Sequence, residues 1–136
     1  MRPFPYIALA AALAVTACDN GSQSQQSKTI NVQSDEQKQL HQLDAFNLAI
    51  GLKRAIYDAG YTCKRITDAG FVGTWKNLDE WTAHCVYDNG SGRDWAIFAG
   101  PDGSAQVRDC KDITPQSGLP PCVIKERPKG SFTDLK

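Results

Sequence analysis

The side chains with chemistry to offer in this chain of 136 residues are five cysteines, two histidines and two small groups of acids. His84 stands beside Cys85, the pair a thiol nucleophile and its base would need. Neighbouring residues of a strand point to opposite faces, however, so this pair cannot meet. His41 falls on a predicted helix and is expected to face water. Asp79-Glu80 and Asp109/Asp112 could in principle supply the two carboxylates of a glycosidase. Both groups lie near turns or strand ends, where solvated charges are expected instead. Ser91-Gly92 and Gly100-Pro101-Asp102-Gly103 read as hairpin turns, because no helix follows to aim its N-terminus at a phosphate. Asp102 alone does not make a calcium loop. No catalytic residue, metal ligand or non-covalent cofactor is expected.

Cys18 belongs to a different context. Arg2 is the single charged residue before it, and Tyr6 to Ala17 is an apolar or small run. That run is too short for a span of about 20 residues and fits a cleaved secretory signal. Its end, Val15-Thr16-Ala17-Cys18, resembles the bacterial lipobox: an aliphatic residue, two small ones, then cysteine. The resemblance implies cleavage before Cys18, diacylglycerol on its sulfur and acylation (palmitate or a like chain) of the freed amine. One chain anchors weakly, and two or three hold firmly. Asp19 resembles the signal that keeps enteric lipoproteins in the inner membrane, with the outer membrane as the alternative. The competing reading is an ordinary signal peptide that leaves Cys18 free.

Export sets the redox compartment. Cys63, Cys85, Cys110 and Cys122 remain as an even set, read as two disulfides. Of the three possible pairings, Cys63–Cys85 and Cys110–Cys122 is expected, the first tying neighbouring strands and the second pinning the Pro-rich tail to the last strand. Zinc is disfavoured because no Cys-x-x-Cys pair occurs. Without Arg2 the mature chain carries one cation fewer than the 15 Lys and Arg of the full sequence, against 15 acids. Such a balance creates no strong field to draw nucleic acid or anionic lipid.

The elements around these residues follow from patterning. Residues 1–17 are the expected signal peptide, and 18–36 a lipidated N-terminus and Ser/Gln-rich tether that cannot bury enough surface to order itself. A globular domain is expected over 37–125 and a flexible tail over 126–136. One helix should run from a capping box at Ser34/Gln37 to Gly60, with two overlapping apolar stripes: Leu40, Leu43, Phe46 and Ile50, then Leu48, Ala49, Leu52, Ile56 and Ala59. Gly51 inside it costs about 1 kcal/mol relative to Ala, which suggests a close approach to a strand. Strands are expected at Tyr61–Thr67, Phe71–Trp75, Glu80–Tyr87, Arg93–Ala99 and Ser104–Cys110, separated by turn signals. The fold class is α+β: one N-terminal helix on a three- to four-stranded antiparallel meander, with the other sheet face at least partly open.

An open face would display aromatic residues. Trp75, Trp81, Trp95 and Phe98 concentrate in the strands and are the candidate anchors for a partner. The expected function is therefore that of a membrane-anchored, non-enzymatic envelope lipoprotein, facing the periplasm and binding another envelope protein through its sheet face or edge. The alternative is a small periplasmic ligand-binding protein or hydrolase.

Overall fold

Ser34 caps a helix as its spacing to Gln37 demands. Its hydroxyl accepts from the Gln37 amide at 3.2 Å, and the Gln37 side chain returns to the Ser34 amide at 3.0 Å. The computed structural model describes residues 33–133, so Cys18, the signal peptide and most of the tether lie outside it. The elements are α1 (Asp35–Gln42), α2 (Ala45–Asp58), β1 (Arg65–Trp75), β2 (Leu78–Val86), β3 (Gly92–Ala99) and β4 (Ala105–Asp109). The α+β class is as expected, but the single helix is two. Leu43 turns extended, and Asp44 caps a second helix by accepting from the Asn47 amide at 2.9 Å. Both stripes therefore do not converge on one face. Leu48, Ala49, Leu52 and Ile56 of α2 are buried against the sheet, whereas Phe46 and Ile50 point to solvent. It is α2, not the first helical segment, that lies across the strands.

The sheet is a four-stranded antiparallel meander in the order β1-β2-β3-β4. The two strands expected at Tyr61–Thr67 and Phe71–Trp75 are one, starting later at Arg65 and bulged between Ile66 and Asp68 and between Phe71 and Gly73. Gly70 does not break it. It marks a close approach: a Cβ there would collide with the Glu126 carbonyl and Ile124. Trp81, Ala83 and Cys85 alternate toward the helices with Trp95 and Ile97 of β3. Fully burying one such large apolar side chain contributes about 1.5–3 kcal/mol, so this layer dominates the fold's stability. Cys63–Cys85 ties the approach to β1 onto β2, and Cys110–Cys122 fastens the chain after β4.

That second bridge begins a strap. From Cys110 at one edge of the sheet the chain passes to the other edge, where Phe71 donates to the Glu126 carbonyl at 2.8 Å and accepts from Lys125 at 2.8 Å. Val72, Ala96 and Phe98 are buried outside the helix-side core, and Thr82 and Glu80 are buried on the face opposite the helices. The second face, expected to be at least partly open, is crossed by this strap at Gly70 and Gly73. It remains open over Asp94 and Arg108, which are exposed. The expected tail is packed too, as far as described. Arg127 forms a two-pronged bond to Asp68 at 2.9 and 3.1 Å, Lys129 accepts from the Ala45 amide at 2.8 Å, and Phe132 enters the core.

Candidate functional site

Asp79 and Glu80 are consecutive, and both are completely buried. They are not the solvated turn charges expected from the sequence. Strand alternation sends them to opposite faces of β2. Asp79 lies beneath α1, where its Oδ2 is 2.9 Å from Gln33 Nε2 and 3.0 Å from His41 Nε2, and its Oδ1 accepts from Thr74 at 3.2 Å. His41 is consequently not a solvated helix residue. Its ring packs on Phe71 and Trp81, at centroid distances of 4.5 and 4.9 Å. A buried carboxylate with three donors is a satisfied structural group. It locks α1 to the sheet.

Glu80 is the opposite case. Neither carboxylate oxygen has a hydrogen-bond partner among the described residues, and the Thr82 hydroxyl on the same face has none either. Burial pushes the Glu80 carboxyl up to about 7, a rise that the nearby Lys125 ammonium moderates. Lys125 reaches it from the strap across Gly73, which pairs with Glu80 and keeps this spot free of a side chain. The acid is therefore sealed between sheet and strap.

The aromatic anchors expected from the sequence are mostly core. Trp81 and Trp95 are buried beneath the helices and Phe98 is buried on the opposite face, so none of the three is free to meet a partner. Trp75 is half-buried, edge-on to Phe98 at 6.3 Å and covered by Lys76 at 4.3 Å. His84 makes a cross-strand pair, bonding Asp94 directly opposite on β3. Asp109 is held between Arg93 at 3.3 Å and Lys111 at 3.5 Å, and Asp112 is exposed. Asp102 stays in its turn, where bonds from Ser104 lower its carboxyl. No group of three or more His, Cys, Asp or Glu side chains is placed to hold a metal among the described residues.

The accessible surface with a distinctive shape lies beside β4. The outer edge of this strand makes no backbone hydrogen bond among the described residues. Two clefts flank it. One, of about 360 Å³, is mostly apolar and lies between the helices and the sheet, with Leu40, Leu43, Gly51, Leu52, Ile97 and Ala105 in its walls. The other, of about 480 Å³, is polar and holds Tyr61, Arg93, Arg108, Asp109 and Lys111 over Trp95 and Val107. Gly51 makes no close approach to a strand: a Cβ there would meet nothing within 4 Å. The glycine weakens α2 while packing requires nothing of it, and its missing side chain widens the apolar cleft. The sequence marked Gly51 as anomalous, but its meaning needed the cleft.

No protein-family model, no curated relative and no solved structure matches this chain.

Proposed function

We propose that the chain is a lipid-anchored, periplasm-facing envelope lipoprotein whose domain is a non-enzymatic binding module. It receives an extended, partly apolar segment of another envelope protein on the free edge of β4. Cleavage before Cys18 and lipid on its sulfur would hold the module at a membrane, with residues 19–32 as spacer. The observation that carries the binding reading is the juxtaposition of an unpaired strand edge with an apolar cleft that Gly51 leaves open. An added strand gains affinity from backbone bonds and specificity from pockets for alternate side chains. β4 suits this: Ala105 borders the apolar cleft, and Val107 and Asp109 border the polar one. Its shortness and its Arg108/Asp109 charges discourage indiscriminate pairing. The surroundings of His41 favour binding over hydrolysis, because its Nε2 is engaged by Asp79 and its ring is enclosed by Phe71 and Trp81.

The test is photo-crosslinking in cells from a reactive side chain placed at the exposed Gln106. A discrete adduct is expected from Gln106, lost when Gly51→Leu fills the cleft. Absence of an adduct, or an adduct indifferent to Gly51→Leu, overturns the reading. Cys18→Ser should separately abolish lipid labelling and membrane retention.

A further inference from the structure

The largest apolar side chains left in water are concentrated on one element. Phe46, Ile50 and Tyr57 are 54%, 52% and 48% exposed, all on α2, and exposed Tyr61 follows directly after it. Spacings of four and seven residues place the first three on one stripe of the helix. This stripe is not the side of α2 that packs on the sheet, and it is separate from the cleft beside β4. A second shallow, mostly apolar cleft of about 360 Å³ runs along it, between Phe46, Ala49 and Ile50 on the helix and Ile66 on β1. Cations rim that cleft: Lys53 on α2, and Lys64 and Arg65 at the start of β1. Arg54 adds a fourth on the helix.

We propose that this face docks on an anionic lipid bilayer, with Phe46, Ile50 and Tyr57 at the level of the acyl boundary and the four cations on headgroup phosphates. The argument is charge complementarity joined to an amphipathic stripe. Asp58 lies 4.0 Å from Arg54, and Asp88 lies 3.3 Å from Lys64. Lys53 and Arg65 have no carboxylate within ion-pair distance among the described residues, and Asp44 at the head of α2 is engaged in capping it. The face is thus cationic although the whole chain is neutral. Apolar insertion and attraction to anionic headgroups together make a peripheral helix bind, where one alone is weak. Lys53 already bridges the two elements, donating to the Lys64 carbonyl at 2.8 Å beneath the Tyr57 ring. The helix and the strand start therefore present one continuous surface. Lipidation at Cys18 would bring this face to a bilayer, but the docking chemistry does not require it.

The test uses the mature chain from residue 18 carrying Cys18→Ser, so that loss of docking and absence of a lipid anchor are read separately. It is sedimented with vesicles of phosphatidylcholine containing about a third phosphatidylglycerol, and with vesicles of phosphatidylcholine alone. Binding is expected to the first and not the second, and to be lost at about 0.5 M salt. Phe46→Ser/Ile50→Ser and Lys53→Gln/Arg65→Gln should each weaken it by at least about tenfold with unchanged near-ultraviolet circular dichroism. Failure to bind the anionic vesicles, equal binding to both kinds, or binding untouched by either variant overturns the proposal. So does a dimer in vesicle-free sedimentation that Phe46→Ser/Ile50→Ser dissolves, which would assign the face to a second copy of the chain.

Discussion

Glu80→Gln should make the domain more stable at alkaline pH and leave it little changed in acid. The reason is linkage. Glu80 is fully buried, its oxygens lack hydrogen-bond partners among the described residues, and its carboxyl is raised from 4.5 to about 7. Below pH 4.5 the acid is protonated both in the fold and in the unfolded chain, so it imposes no difference. Between about 4.5 and about 7 the unfolded chain releases this proton while the fold retains it. Unfolding then becomes easier with each step upward in pH. The loss is about 1.4 kcal/mol per unit, or about 3 kcal/mol across the window, and is flat above it. Glutamine removes the titration. The difference between wild-type and Glu80→Gln stability should therefore grow to about 3 kcal/mol at pH 8, upwards of about 10 °C in Tm for a domain of this size. Urea unfolding with both disulfides intact, followed by tryptophan fluorescence at several pH values, measures that difference directly. The subtraction removes every contribution that the two proteins share. A difference that is independent of pH, or that favours the wild type as pH rises, would refute the account of Glu80 as a sealed, unpartnered acid.

Four further outcomes follow from neighbouring geometry. Lys125→Gln removes the charge that moderates Glu80, so its carboxyl should rise further and the window of pH-dependent stability extend upward in the same urea titration. Gly51→Ala should stabilise α2 by about 1 kcal/mol in thermal unfolding, since its Cβ would meet nothing; destabilisation would show a hidden packing demand. Gly70→Ala should cost about 1–3 kcal/mol, because its Cβ would strike Ile124 and the Glu126 carbonyl, and should accelerate amide exchange over 123–126. His41→Ala should cost about 1–3 kcal/mol by leaving buried Asp79 short of a partner, read as a lower urea midpoint with unchanged slope.

What could be read from the sequence was whatever local spacing determines. The capping box at Ser34 and Gln37, the last two hairpins and the disulfide pairing all follow from period and turn chemistry. The helix break did not, because Leu40 and Leu48 continue one another's spacing closely enough to hide the cap at Asp44. Gly70 looked like a strand end because a glycine that ends a strand and one that admits a crossing backbone are the same letter. The burial of Glu80 and Thr82 depended on the Pro-rich segment crossing the sheet. That path is set by contacts far apart in sequence, Cys110 with Cys122 and Phe71 with Glu126. Misreading it as a tail made the second face look available and its aromatics look like anchors.

The strap changes which residues remain to be explained. Once Trp81, Trp95 and Phe98 are assigned to packing, the aromatic richness of the strands no longer bears on partners. What bears on them is what packing does not require. Gly51 weakens its helix and relieves no clash, and Phe46 and Ile50 expose apolar surface on a helix whose other side already fills the core. These residues flank α2 on its two sides, one toward β4 and one toward the start of β1. A helix that served packing alone would be stabilised by Ala at 51 and would lose nothing from polar residues at 46 and 50. The two surfaces proposed on this helix, one for an added strand and one for a bilayer, would account for both departures. The two are separable, because Gly51→Leu should abolish the first interaction and leave the second intact.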